Sequence, residues 1–142
     1  MSRVECDKAR CSGCLACIVA CLDQHYDEAD EYAVPARIYE IKKSGDSDLE
    51  IYVTRSCLHC DEAACLKVCR YGALKRDERG FVIPVRENCK GCKMCLKACP
   101  YDVPRFDSEH KIVKCDGCSV RVAMGLEPAC VRACNTGALK LV

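Results

Sequence analysis

Tryptophan is absent and phenylalanine occurs only twice, so the chain lacks the bulky side chains that fill an ordinary core. Long apolar runs are missing as well. The longest uncharged aliphatic stretch is near "LACIVACL" at 15–22, far short of the roughly 20 residues a membrane span needs. The opening "MSRVECDKAR" carries no apolar leader, so a cytoplasmic setting with no direct membrane span is expected. An excess of one charge is lacking: the formal net charge is +1, which gives no general pull toward nucleic acid or an acidic partner. No glycine-rich phosphate loop, Ser/His/Asp set or paired catalytic carboxylate stands out.

Cysteine is what the chain has instead. Seventeen of 142 residues, about 12%, lie above the level that marks a special scaffold. The other hydrophobic residues would make a thin core, so something must cross-link the chain from inside. Disulfides fit poorly, because the count is odd and no export signal is present. Metal–thiolate chemistry fits better.

Sixteen of the cysteines fall into four quartets. The first is Cys11, Cys14, Cys17 and Cys21, in "CSGCLACIVAC". The second is Cys57, Cys60, Cys65 and Cys69, in "CLHCDEAACLKVC". The third is Cys89, Cys92, Cys95 and Cys99, in "CKGCKMCLKACP". The fourth is Cys115, Cys118, Cys130 and Cys134, with eleven residues between its middle members. The first and third follow the bacterial ferredoxin spacing of two, two and three intervening residues, and the third keeps the following proline, Pro100.

That spacing has a physical reason. Three close cysteines wrap one corner of a cubane, and the fourth, on a short helix, points away toward a neighbouring cluster. Such motifs work in pairs that exchange their last cysteine, so four motifs supply four [4Fe–4S] clusters with every ligand position filled. Gly13, Gly91 and Gly117 each precede a second cysteine, where glycine lets backbone N–H groups approach sulfur; a plain turn glycine satisfies the same pattern. Zinc is the competing metal. Zinc sites usually combine two C-x2-C pairs into one tetrahedron, and repeated C-x2-C-x2-C-x3-C has no good zinc counterpart.

The segments between the quartets also repeat. "CRYGALK" at 69–75 returns as "CNTGALK" at 134–140. "ALKRDERGFVIPV" reads as two short strands around a turn at Glu78–Gly80, and "ARIYEIKK" with "LEIYVTR" reads as a second hairpin around "SGDSD". "RVEC" and "ALKLV" read as terminal strands, and short helices are expected through 15–24, 63–70 and 92–99.

With these motifs the chain resembles the four-cluster ferredoxin-like electron-transfer subunits. They serve dimethyl sulfoxide reductase, formate dehydrogenase, tungsten aldehyde oxidoreductase, hydrogenase and carbon monoxide dehydrogenase complexes. The resemblance rests on the four quartets, on the two extra residues and the histidine in "CLHCDEAACLKVC", on "CPYDVPRF", and on the long gap in "KCDGCSVRVAMGLEPACVRAC". It implies crossed quartets, which the spacing alone leaves open. One cluster would take Cys11, Cys14, Cys17 and Cys134, and a second Cys115, Cys118, Cys130 and Cys21. A third would take Cys57, Cys60, Cys65 and Cys99, and the last Cys89, Cys92, Cys95 and Cys69. Loop length costs little entropy, so residues 119–129 are free to form an excursion, either a partner surface or a cover over the cluster. Many relatives keep proline after the fourth cysteine of several quartets, where Leu22, Arg70 and Asn135 stand here.

Other residues carry two readings each. Cys6 stands outside every quartet and is expected to be a buried or half-buried free thiol. His59 is expected to pack near a cluster and not to ligate it. Lys90, Lys93 and Lys97 could form a positive face that favours a reduced cluster or docks an acidic partner, or an ordinary solvated face. The acidic "DQHYDEADEY" at 23–32 could dock a partner or remain a solvated loop.

The expected fold is α+β, two fused ferredoxin-like modules of short strands and helices. The outer module would comprise about 1–35 plus 108–142 and the inner one about 36–107. The expected function is to relay single electrons between a catalytic oxidoreductase subunit, of Mo/W-pterin or related type, and a second electron carrier or flavin subunit. No substrate site is expected on this chain, and self-association into longer wires is compatible with the sequence. A free-standing polyferredoxin and a zinc-organised interaction module are the alternatives.

Overall fold

The computed structural model describes residues 2–26, 33–43, 45 and 48–142. The acidic positions 27–32 and positions 44, 46 and 47 of the expected hairpin turn lie outside the described residues. Along the chain run β1 (Val4–Cys6), α1 (Ala16–His25), β2 (Ile38–Lys43), β3 (Glu50–Arg55), α2 (Ala64–Val68), β4 (Leu74–Arg76), β5 (Val82–Pro84), α3 (Met94–Ala98), β6 (Arg105–Phe106), β7 (Ile112–Val113), α4 (Ser119–Ala123), α5 (Ala129–Ala133) and β8 (Leu139–Leu141). A single 3-10 turn at Arg86–Asn88 follows β5. This is a small α+β structure of short strands and short helices. No helix among the described residues is long and apolar enough to cross a membrane.

The strands pair as antiparallel ribbons of two: β1 with β8, β2 with β3, β4 with β5 and β6 with β7. The expected hairpins and the terminal pairing are therefore present, with Val4 opposite Leu141 and Cys6 opposite Leu139. The repeated "GALK" has one structural meaning in both copies. Gly72 and Gly137 take φ of +67° and +69°, turning the chain out of α2 and α5 into β4 and β8. The next carbonyl then closes a ribbon in each copy: Ala73 O accepts from Val85 N, and Ala138 O from Asp7 N, both at 2.7 Å.

A second repeat emerges only in three dimensions. Asp77 Oδ1 accepts from the N–H groups of Arg79 and Phe81, each at 2.9 Å, and so closes the β4–β5 turn. Asp107 Oδ1 accepts from Glu109 and Lys111, each at 3.0 Å, and closes β6–β7 in the same way. Gly80 in the first turn corresponds to His110 in the second, with φ of +89° and +60°. A left-handed residue other than glycine is uncommon, so this hairpin lacks the glycine that marks the first turn.

Helices of five residues, as α2 to α5 are, have no independent stability. Three of them are held by packing, α5 against α1 and α2 against α3. Two small cores result. One joins Val4, Cys17, Cys130 and Leu139, and the other joins Ala63, Ala73, Leu74, Val82, Cys89 and Ile112. Cysteine side chains are members of both, in the place that aliphatic groups take elsewhere. Leu22 lies inside α1, which runs for ten residues, whereas α3 stops at Ala98, ahead of Pro100.

Asp107→Ala should therefore weaken the fold. It removes two backbone hydrogen bonds and the ion pair with Arg86, and about 1–3 kcal/mol is expected. The thermal midpoint followed by circular dichroism checks this; a midpoint equal to that of the parent would show that the turn closes without the carboxylate.

Candidate metal centres

Each C-x2-C loop is shaped by one left-handed residue before its second cysteine. Gly13, His59, Gly91 and Gly117 have φ of +73°, +47°, +73° and +71°. This conformation turns backbone N–H groups back toward sulfur. His59 N donates to Cys57 Sγ at 3.2 Å and Gly117 N to Cys115 Sγ at 3.3 Å. Two further donors come from outside these loops: Ile112 N reaches Cys89 Sγ and Ala73 N reaches Cys69 Sγ, both at 3.3 Å. An N–H aimed at sulfur favours a thiolate over a thiol.

Glycine is required at these loops for space as well as for φ. A Cβ on Gly117 would stand 2.4 Å from Phe81, which is wholly buried. His59 occupies the equivalent position because its side chain is accommodated in the interior. It stacks edge-on against Phe81 at 5.1 Å, and its Nδ1 accepts from Val82 N at 2.9 Å. Burial, with Lys114 nearby, pushes its pKa down to about 3, so the ring is neutral with its proton on Nε2. His59 is thus a packing residue, and its Nε2 is a buried donor with no partner among the described residues.

The sixteen quartet cysteines gather around four small cavities of similar size, enclosing about 330, 350, 370 and 330 Å³ with their mouths. The first is lined by Cys11, Cys14, Cys17 and Cys134. The second is lined by Cys21, Cys115, Cys118 and Cys130, and the third by Cys57, Cys60, Cys65 and Cys99. The fourth is lined by Cys69, Cys89, Cys92 and Cys95. In every case three thiols come from one quartet and the last from another. The cavities follow one another through neighbouring residues. Cys17 and Cys130 share a core, the Cys115 thiol feels the charge of Cys57, and the Cys95 thiol feels that of Cys65. A larger cavity of about 880 Å³ includes a single quartet cysteine, Cys21, beside His25, Arg86 and Asp116.

The electrostatics of these cavities suit a cationic guest. Burial pushes the thiols of Cys95 and Cys115 up to about 11 and that of Cys130 up to about 12. Free thiols there would stay protonated; bound iron would displace those protons and offset part of the charge on the sulfurs. Cys134 shifts the other way. Burial opposes its ionisation, but the Thr136 hydroxyl and the N–H groups of Leu139, Ala138 and Thr136 hold its pKa below the usual range. The four thiols per cavity and the N–H groups aimed at sulfur fit [4Fe–4S] clusters.

Cys6 is half-buried and joins the lining of the first cavity, beside the quartet thiols. Its register position opposite Leu139 brings it there, and its place outside the quartets gave no hint of this. Lys90, Lys93 and Lys97 are exposed, with Lys93 Nζ over the Phe106 ring at 5.7 Å. The 119–129 excursion is built from α4 and the start of α5. Arg121 Nε donates to Glu127 O at 2.8 Å, while Val120, Met124 and Leu126 are exposed.

Folding into short ribbons and helix pairs around thiol-lined cavities defines an iron–sulfur protein of ferredoxin-like type. The family described as 4Fe-4S dicluster domain matches residues 49–142. Among curated proteins, the chain is 39% identical over 145 residues to YnfG of Escherichia coli (strain K12), a probable anaerobic dimethyl sulfoxide reductase component. It is 40% identical over 144 residues to an anaerobic dimethyl sulfoxide reductase component of Haemophilus influenzae. Both alignments cover 94% of this chain and 69% of the relative. It is 37% identical over 153 residues to the iron-sulfur subunit of the nitrate-inducible formate dehydrogenase of Escherichia coli (strain K12), covering 94% of this chain and 51% of that one. The chain belongs to the 4Fe–4S dicluster family, among iron–sulfur electron-transfer subunits of oxidoreductase complexes.

Two outcomes follow from this geometry. Gly117→Ala should cost about 2–5 kcal/mol, from left-handed strain and overpacking together, whereas Gly125→Ala, at φ +78° with open space, should cost only about 1–2. Equal losses in denaturant unfolding would remove the role assigned to Phe81. Cys6→Ser should keep the full iron content, because four other thiols line the same cavity; loss of one cluster's iron would make Cys6 a ligand.

Proposed function

We propose that the chain carries four [4Fe–4S] clusters as a relay and that the sixteen quartet cysteines are their ligands. The first cluster is held by Cys11, Cys14, Cys17 and Cys134, and the second by Cys115, Cys118, Cys130 and Cys21. The third is held by Cys57, Cys60, Cys65 and Cys99, and the fourth by Cys89, Cys92, Cys95 and Cys69. The observation that carries this reading is the grouping of thiols into four cavities, each borrowing one cysteine from another quartet.

Each cluster, when bound, takes up and releases one electron. The protein's residues do the rest. Cysteine sulfurs fix each site, N–H groups from His59, Ala73, Ile112 and Gly117 temper the charge on sulfur, and the ribbons cover the sites from water. The crossing of the first quartet with the fourth makes an outer module, about 1–35 with 108–142. The crossing of the second with the third makes an inner one, about 36–107. The packing of α1 on α5 and of α2 on α3 supports that division.

The relay serves a catalytic subunit, where substrate chemistry takes place, and a second carrier at the other end. The similarity to dimethyl sulfoxide reductase and formate dehydrogenase subunits supports an oxidoreductase partner, which we read as of Mo/W-pterin or related type. Exposed Val120, Met124 and Leu126 on the excursion suit a partner contact.

Anaerobically purified protein should hold about 16 Fe and a matching amount of acid-labile sulfide. Cys99→Ser should damage the cluster of Cys57, Cys60 and Cys65 and spare that of Cys89, Cys92 and Cys95. Stoichiometric zinc without sulfide sinks the relay; spectroscopic damage to the opposite cluster sinks the crossing.

A further inference from the structure

Arg37 stands immediately before β2 and is only 2% exposed. A guanidinium stays charged at any pH a protein meets, so burial cannot neutralise it. Its partners are nevertheless uncharged oxygens. Nε donates to Thr54 Oγ1 and Nη1 to Ser56 Oγ, both at 3.0 Å, and Nη2 donates to Thr54 O at 3.3 Å. No salt bridge joins it to a carboxylate among the described residues. A buried cation without an anion is costly, and folds retain one where a negative charge lies close by.

The candidate anions are the cluster sites. Arg37 Nη1 lies 3.9 Å from Cys130 Sγ, at the second cavity, which Arg37 also helps to line. Thr54 Oγ1, which accepts from Arg37, lies 3.7 Å from Cys17 Sγ, at the first cavity. The guanidinium therefore touches one site directly and the other through a single hydroxyl. A four-thiolate cubane is anionic when oxidised and more so when reduced.

We propose that Arg37 is the shared buried counter-charge of the two outer clusters and favours their reduced forms, acting as a positioning residue for electron transfer. This rests on the assignment of Cys17 and Cys130 as ligands made above. Reduction adds one electron to a cluster; no bond forms or breaks, and the fixed cation stabilises the added charge. Arg37 also ties the start of β2 to the end of β3, a role that needs its fork of hydrogen bonds more than its charge. The two roles separate by experiment.

The test is a redox titration of the iron-loaded full chain, with dithionite as reductant, followed by electron paramagnetic resonance. Arg37→Gln should retain all iron and lower the potentials of two clusters. At least a tenfold fall in their reduced-to-oxidised ratio is expected, about 59 mV for one electron, with the other two unmoved. Arg37→Lys, which keeps the charge but not the fork, should restore the wild-type values. Four unmoved potentials, or a shift spread evenly over all four, overturns the proposal. If Arg37→Gln cannot hold iron, Arg37→Lys decides: full iron with wild-type potentials supports the charge, and the same loss shows that shape alone matters. Iron and sulfide analysis of the wild-type chain separates the two readings: a count other than four clusters defeats the relay on which the role of Arg37 rests, whereas four clusters with unmoved potentials defeat only the role of Arg37.

Discussion

The interior of this protein is organised around thiols that burial keeps from ionising by themselves. In an ordinary small domain the apolar side chains supply the drive to fold. Here the two aliphatic cores are small, and Cys17, Cys89 and Cys130 are among their buried members. A sulfur surrounded by protein resists ionisation, as the raised pKa values of Cys95, Cys115 and Cys130 show. The same sulfur becomes a strong ligand once a cation arrives, and in small metal-bound domains such binding is coupled to folding. Five-residue helices and three-residue strands are adequate under that constraint, because they need only deliver sulfur atoms to four places.

Delivery depends on backbone conformation more than on side-chain packing. The left-handed residue ahead of each second cysteine sets where the loop's N–H groups point, and it recurs in all four quartets. Three of the four positions are glycine. At Gly13, Gly91 and Gly117 the missing Cβ makes room for Tyr52, His110 and Phe81 respectively. The fourth position holds His59, whose ring fills the interior beside Phe81. One backbone requirement is thus met in two ways.

Much of this was legible in the sequence, for reasons that differ from element to element. The quartets are legible because a cubane dictates short spacings, and the resemblance they suggested is to the family the chain belongs to. The hairpins over 38–55 and 74–84 are legible because alternating β-branched residues flank turn formers. The β6–β7 ribbon was not, since two-residue strands have no period and His110 stands where a glycine would have marked the turn. The helices of the 119–129 excursion were equally silent, at five residues each. Arg37 read as an ordinary strand residue. Its environment depends on Cys130, 93 positions away, and no local pattern encodes that contact.

The crossing of quartets decides which sulfurs meet at each cluster and where the module boundaries fall. Anomalous scattering from crystals of the iron-loaded protein, collected at the iron absorption edge, tests it most directly. Crossing predicts four separate iron peaks, each surrounded by three sulfurs of one quartet and the last sulfur of its crossed partner: first with fourth, second with third. Peaks enclosed by the four cysteines of a single quartet, or shared between the first and second quartets, would contradict it.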